Sequence, residues 1–445
     1  MTNFRCAMIT CVLVACGDDA SVLENPLSIR VASYAAAPSP GLDVLVQMDD
    51  SSGMLDVQEN LAAHLSVLLD GFAALPGGPP ELHLGVVTSD LGTTGSLDRT
   101  TPGPSLDGCS GAGKDGALQT GGAQVTGHFV VDEADENGGR RGNYTGQLVD
   151  VVSQMIKTGG AGCGFEQHLA ATQRAFENPL NDGFARPDAN LLLLVVANED
   201  DCSVTDPALF GPASAALGAL QSYRCTRFGV TCDESLDTPG VKTNCLPEET
   251  SPYVDGVASY VDFFRRLRGD SAHLAVGMLI GPPVVDVVLR APVGGTQPEI
   301  ALSSSCTGFG PELADPGVRL AAFGTALAPN SEVQSMCSPD LAPQLASIGR
   351  LVKRMYGVVC LDTSVLGDGD SAPGVQPACT VTLDRASTQT ALPACSASVT
   401  TDCFEVIPDA AACPETADHA RLAVHLAAPD AETYVRASCL APQPE

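Results

Sequence analysis

Residues 42–54 read Leu-Asp-Val-Leu-Val-Gln-Met-Asp-Asp-Ser-Ser-Gly-Met, a mostly apolar run that passes directly into a polar turn. Side chains alternate in character from Val44 to Met48, which predicts a β-strand. Carboxylates and hydroxyls then follow without a gap, from Asp49 to Ser52. In open α/β sheets, ligands bind at the carboxyl ends of the strands. The stretch therefore predicts a sheet strand with a candidate functional site in the turn that leaves it.

A second apolar run predicts a neighbouring strand. Residues 190–196 read Asn-Leu-Leu-Leu-Leu-Val-Val, and a run that is apolar on both faces is typical of the middle of a parallel sheet. The run leads into Ala-Asn-Glu-Asp-Asp-Cys-Ser at 197–203. If the two strands are adjacent, Asp49, Ser51 and Asn198 converge at one edge of the sheet.

The strand, the Asp-x-Ser turn and the amphipathic helix after it resemble the opening of a von Willebrand factor A (VWA) domain. That family carries a metal-ion-dependent adhesion site whose first motif is Asp-x-Ser-x-Ser; Asp49 and Ser51 match its first two positions, and Gly53 stands at the third. Two further runs are similar to bacterial members, Gly-Cys-Gly-Phe-Glu-Gln at 162–167 and Glu-Asp-Asp-Cys-Ser at 199–203. Asn198 stands where these members have the Asp of the third metal motif.

The resemblance implies a metal site formed by Asp49, Ser51 and Asn198, and a role in adhesion or protein binding without catalysis. The family's second metal motif is a Thr, for which Cys163 and Thr158 are both candidates by position. Gly53 removes one hydroxyl ligand and Asn198 removes one negative charge. The affinity of a site for a cation decreases as its ligands carry less negative charge. We therefore expect Mg²⁺ or Ca²⁺ to bind weakly, or the site to be vestigial.

The composition restricts the choice of partners. The formal net charge is -30 and the sequence contains only four lysines. A chain of this charge is repelled by nucleic acid phosphates and by anionic membrane surfaces. A protein ligand is therefore the expected partner, no nucleic acid is expected, and a membrane is reached only through a lipid anchor.

The N-terminus predicts export. Residues 6–15 form a short apolar run that ends in Leu-Val-Ala before Cys16, which resembles a bacterial lipobox. We therefore expect residues 1–15 to be a lipoprotein signal peptide, Cys16 to be lipidated, and residues 16–41 to form a tether. Fourteen of the 17 cysteines follow Cys16, an even number that is consistent with disulfides in an oxidising compartment. The expected location is the bacterial cell envelope, at the outer membrane and either periplasmic or surface-exposed.

The predicted fold class is α/β, with a doubly wound, mostly parallel sheet resembling VWA over residues 42–356. Loop-rich segments at 89–142, 204–250 and 283–315 look like large insertions that carry cysteines. From residue 357 to 445, cysteines fall among short alternating runs, which predicts a small Cys-rich β module.

The expected function is adhesion or protein–protein binding by an exported, lipid-anchored protein that is not an enzyme. Two alternatives stay open. A structural envelope protein would have no ligand at the sheet edge, and complete burial of that edge would favour it. A secreted serine hydrolase would use Ser51 as its nucleophile, and a histidine–carboxylate partner beside Ser51 would favour that activity.

Overall fold

The computed structural model describes residues 28–97, 99–106, 108–268, 271–291, 298–306, 314–367, 376–385 and 388–440. This part of the chain is a mixed α/β structure with several β-sheets and seven disulfide bonds. Its helices are α1 (Leu55–Ala73), α2 (Leu148–Met155), α3 (His168–Glu177), α4 (Tyr223–Gly229), α5 (Val257–Leu267), α6 (Val318–Ala326) and α7 (Ala342–Met355). Its strands are β1 (Ser28–Ala35), β2 (Gly41–Met48), β3 (Glu81–Thr88), β4 (Val130–Ala134), β5 (Arg140–Gly142), β6 (Asn190–Ala197), β7 (Val230–Thr231), β8 (Gly240–Val241), β9 (Leu246–Pro247), β10 (Leu274–Ile280), β11 (Asp286–Arg290), β12 (Glu299–Leu302), β13 (Ser331–Ser335), β14 (Val359–Cys360), β15 (Cys379–Arg385), β16 (Thr388–Leu392), β17 (Cys403–Pro408), β18 (Ala420–His425) and β19 (Thr433–Leu440).

The largest sheet has the strand order β13-β10-β6-β2-β3-β4-β5. Its first five strands are parallel to one another, and β4 and β5 extend it in antiparallel fashion. Every residue of β2, β6 and β10 is buried, as the apolar run in β6 predicted. Side chains of α1, α2 and α7 share an apolar cluster with one set of strand residues, and those of α3, α5 and α6 share a second cluster with the alternate set.

Three of the seven disulfides tie loop-rich segments to residues outside them, one lies within the segment 204–250, and three lie within residues 357–445. They join Cys109 to Cys163, Cys202 to Cys225, Cys232 to Cys245, Cys306 to Cys337, Cys360 to Cys413, Cys379 to Cys439 and Cys395 to Cys403. All fourteen cysteines after Cys16 are therefore paired, each within residues 42–356 or within 357–445. This many disulfides is typical of proteins exported to an oxidising compartment.

The C-terminal residues form two small sheets with an apolar cluster of their own, in the orders β1-β19-β15-β16 and β14-β18-β17. The first of these sheets corrects the predicted tether at 16–41. Residues 28–35 form β1, which is antiparallel to β19, and Ala32 and Tyr34 are buried in the cluster. Its pairing partner lies some four hundred positions along the chain, so the sequence around residues 28–35 could not show which strand it pairs with. Cys16 and the predicted signal peptide lie outside the described residues.

The chain passes from β1 to β2 through residues 36–40 alone, so the C-terminal sheet and the central sheet share a short covalent connection. The two sheets are also joined by a hydrogen bond from Nδ2 of Asn330 to the carbonyl oxygen of Ser33, at 2.8 Å. Among the described residues, no helix has both the length and the hydropathy needed to cross a bilayer.

Candidate functional site

The three predicted metal ligands lie together at the carboxyl edge of the central sheet. β2 and β6 are parallel neighbours with Met48 opposite Val196, and the backbone N–H of Asp49 continues the ladder to the Val196 carbonyl at 3.0 Å. The Ser51 hydroxyl donates to Oδ1 of Asn198 at 3.3 Å, and the Ser51 N–H donates to Oδ1 of Asp49 at 2.8 Å. The edge therefore brings a carboxylate, a hydroxyl and an amide oxygen into one small region.

This ligand set fits a tightly bound divalent cation poorly. Oδ2 of Asp49 is buried and has no hydrogen-bond partner among the described residues, which leaves one oxygen for a ligand. Burial raises the pKa of Asp49, and the nearby His168 and the N–H of Ser51 oppose that rise. A β-carbon built on Gly53 would lie 2.5 Å from Nδ2 of Asn198. The amide of Asn198 thus crowds the position from which any side chain at residue 53 would project, and Mg²⁺ or Ca²⁺ would find too few charged oxygens.

One cluster elsewhere in the described residues brings three ligand types together. Cys395, Glu405 and His425 have candidate ligand atoms within 4.8 Å of one another. Cys395 is already bonded to Cys403, so it offers no thiolate to a metal. Within the described part of the chain, no other group of three such side chains meets this distance, and that includes the carboxylates at the sheet edge.

The second carboxylate of the turn, Asp50, is neutralised by the protein itself. Asp50 is fully buried, and its carboxylate pairs with the ammonium of Lys114, which the loop-rich segment 89–142 carries to the edge. The Ser89 hydroxyl donates to the same carboxylate at 3.4 Å. A β-carbon on Gly162 would lie 2.3 Å from Oδ1 of Asp50, so glycine is needed there. No sequence motif marks Lys114, although a lysine is rare enough in this acidic chain to be a signal.

Two runs, residues 162–167 and 199–203, build the framework around the edge. The N–H of Cys202 donates to the Glu166 carbonyl at 2.7 Å and joins one run to the other. Asp201 accepts from the N–H of Leu169 in the first turn of α3, at 2.9 Å, and forms a fully buried ion pair with Arg319 at 2.9 Å. These carboxylate interactions fix the positions of α3 and α6 relative to β6.

Neither candidate for the second metal motif extends the ligand set. Cys163 is bonded to Cys109. The hydroxyl of Thr158 accepts a hydrogen bond from Nε2 of Gln58 at 3.2 Å, and the same amide nitrogen donates to the Asp49 carbonyl at 3.1 Å. Gln58 therefore connects the loop of Thr158 to the edge through hydrogen bonds.

A carboxyl-rich cavity of about 200 Å³ opens beside the edge. Asp315, which lines the cavity, lies next to Asn198, because its N–H donates to the Asn198 carbonyl at 2.7 Å. The cavity is lined by five carboxyl groups and one guanidinium, from Glu166, Glu199, Asp200, Glu299, Asp315 and Arg290.

Several of these carboxyl groups hold protons more strongly than usual. Burial, then Asp315 and Asp49, raises the pKa of Glu199 to about 8. Burial raises the pKa of Asp200 to about 6, although hydrogen bonds from the backbone N–H groups at the start of α6 act to lower it. Burial and the neighbouring Glu199 raise the pKa of Glu166 well above its ordinary value. The cavity therefore concentrates acidic groups that gain from a cationic neighbour.

Two features of the edge bear on the alternative functions. The Ser51 hydroxyl donates to Asn198 and has no hydrogen bond to a histidine in the described residues, and both ring nitrogens of the buried His168 are without a hydrogen-bond partner there. This arrangement does not activate a serine nucleophile. The edge is also not sealed, since Ser52 and Gly53 are exposed.

No protein-family model matches the sequence, and no curated protein matches it. Proximal thread matrix protein 1 from the mussel byssus is 11% identical with a TM-score of 0.31, over 76% of this chain and 52% of that one. The pilus adhesin RrgA from Streptococcus pneumoniae is 9% identical with a TM-score of 0.28, over 94% and 58%. The pilus adhesin SpaC from Lactobacillus rhamnosus GG is 7% identical with a TM-score of 0.31, over 92% and 39%. This chain spans about half the length of the mussel protein, and similarity at this level carries no conclusion about function.

Proposed function

We propose that this chain is an exported, lipid-anchored, VWA-like protein of the bacterial cell envelope that binds a protein partner at the carboxyl edge of its central sheet. The doubly wound arrangement belongs to the proposal. It is supported by five parallel strands and by helices in both apolar clusters. Export is supported by the seven disulfides, which are typical of oxidising compartments.

The observation that carries the proposal is the convergence of Asp49, Ser51 and Asn198 beside the exposed residues Ser52 and Gly53. Ligands of open α/β sheets bind at this edge. Because Lys114 already neutralises Asp50, the edge does not need a divalent ion to hold that carboxylate in place. Partner binding with at most a weak dependence on divalent cations follows from this arrangement.

Site-specific photocrosslinking in the cells that produce the protein tests where the partner binds. A photoreactive residue at Ser52 lies on the exposed part of the edge, and one at Asp70 lies on the exposed side of α1 and serves as the control. We expect a discrete protein adduct from position 52, absent from position 70, that persists when EDTA is present. No adduct at position 52, or the same adducts from both positions, would count against the proposal and favour a structural envelope role.

Calorimetry tests the metal dependence. The double variant Gly53→Ser, Asn198→Asp restores one hydroxyl and one charge once the flexible end of side chain 198 turns away from the new β-carbon. Both changes together raise the affinity expected for a hard cation. We expect clearly stronger Mg²⁺ binding than in the wild type, and no gain in Asn137→Asp, a control on an exposed turn. Equally tight binding by the wild type and the double variant would show that the natural edge already holds a full metal site.

A further inference from the structure

The carboxyl-rich cavity lies beside the proposed VWA-like metal site but contains none of its three ligands, and the proposed function assigns no ligand to the cavity. Its lining comes from the two framework runs, from α4 and the residues before it, and from β11 and β12 in the segment 283–315. Five acidic residues and one arginine line this space of about 200 Å³. The excess of acidic groups makes the cavity a favourable place for a positive charge, whereas an anion would be repelled.

Glu166 gives a second and independent indication of a ligand. This side chain lines the cavity and is only 1% exposed. Its Oε1 atom is buried and has no hydrogen-bond partner in the described part of the chain. A buried polar atom without a partner costs free energy, and such atoms are usually satisfied by water or by a ligand. A donor group that enters the cavity would supply the missing hydrogen bond.

The geometry favours an organic cation over a metal ion. In the described residues, no three of the cavity carboxylates have oxygens within 4.8 Å of one another, so a preformed chelate is missing. A lysine or arginine side chain needs no such chelate, because its N–H donors reach several acceptors along a stem that apolar walls can contact. The same edge provides a precedent, since the ammonium of Lys114 forms an ion pair with the carboxylate of Asp50.

We propose that the cavity receives a lysine or arginine side chain of the protein partner, with Glu166 as its innermost hydrogen-bond acceptor and Glu299 on the β12 side. The inference rests on the proposed function, because it takes the carboxyl edge as the partner's binding surface. The VWA-like metal site would attract an acidic group of a partner, whereas this cavity selects a basic group. Specificity then resides in a place that the sequence motif does not mark.

Titration with small basic probes tests the inference without knowledge of the partner. The probes are Nα-acetyl-arginine amide and Nα-acetyl-lysine amide, and Nα-acetyl-citrulline amide is the neutral control of similar shape. Binding to the full chain is followed by NMR or calorimetry. We expect one of the basic probes to bind and the citrulline probe not to bind.

Variants assign the binding to the cavity. Glu166→Gln keeps the shape of the side chain and an acceptor oxygen but removes the carboxylate charge, and it should weaken binding of the basic probe about tenfold, as expected when a hydrogen bond between two charged groups becomes one to a neutral acceptor. Glu299 lies on β12, outside the central sheet. Glu299→Gln should also weaken binding of the basic probe, and it keeps the inference testable if the Glu166→Gln protein does not fold. Glu177→Gln, on the far end of α3, is the matched control and should bind like the wild type.

Unchanged probe binding in both cavity variants would overturn the inference, as would Ca²⁺ binding that is lost in Glu166→Gln while neither basic probe binds. Failure of the probes with an intact crosslink at Ser52 would overturn the inference and leave the proposed function standing. Probe binding that depends on Glu166, without any crosslink at Ser52, would support the cavity as a cation site and count against the proposed function.

Discussion

At the scale of single residues, Asp50 and Lys114 form the interaction on which the edge most depends. Asp50 has no exposed surface, and Lys114 is 31% exposed. Removing one partner of a buried ion pair leaves a buried charge uncompensated, at a cost of about 3–5 kcal/mol. Because Lys114 is partly exposed, we expect the cost in stability of removing it to lie toward the lower end of that range.

We therefore expect Lys114→Met to lower the free energy of unfolding by about 3 kcal/mol in urea titrations. Adding Asp50→Asn to this variant should recover much of the loss, because the uncompensated charge disappears. Lys157→Met is the control. It breaks an ion pair with Glu59 in which both side chains are well exposed, so it should cost at most about 1 kcal/mol. A Lys114→Met protein as stable as the wild type would contradict this account of Asp50.

Glu166 predicts a pH dependence of stability. Burial raises its pKa above the ordinary 4.5, so the folded state keeps a proton that the unfolded state has lost once the pH exceeds that value. Stability then falls as the pH rises through this window. Glu166→Gln removes the effect. Unfolding at pH 5 and pH 8 should show the variant gaining stability relative to the wild type as the pH increases, and a difference that is the same at both pH values would refute the prediction.

At the scale of elements, the strands and helices with their own periodicity were predictable. The strands that end at Met48 and Val196 are parallel neighbours, as their apolar patterns and polar turns suggested. Lys114 and the cavity were not predictable, because they depend on how loop-rich segments without periodicity fold back onto the sheet. Strand β1 lies inside the segment predicted to be a tether and was missed for a similar reason. Ser28 to Val31 alternate polar and apolar side chains, but the strand they pair with, β19, lies at the other end of the chain.

β1 also gives a prediction about the C-terminal module. A variant lacking residues 28–35 loses one of the two strands that pair with β19, together with the buried side chains of Ala32 and Tyr34 that share an apolar cluster with Val435 and Ala437. We expect the residues after 357 to become sensitive to proteolysis, while the central sheet stays resistant and serves as the internal control. Equal resistance of the two parts would show that β1 contributes little to the module.

At the scale of the whole molecule, pairing of all fourteen cysteines after Cys16 agrees with export, and the lipid anchor stays a prediction. Its basis is the Leu-Val-Ala sequence before Cys16. Mass spectrometry of the mature protein should show a diacylglyceryl group on an N-terminal Cys16, and Cys16→Ser should abolish the modification. An unmodified N-terminus downstream of Cys16 would rule out the anchor.

The direct passage from β1 to β2 has a mechanical consequence. When the protein is held at its N-terminal side and pulled at its edge, tension runs along one covalent path from Ser28 to Ser52. Much of that path is strand, which rises about 3.3 Å per residue and is close to the maximum length of the chain. These strand segments therefore have little slack to release. The load bypasses the disulfide-fastened segments and reaches the edge mainly through strands, which are stiff and can hardly be stretched further.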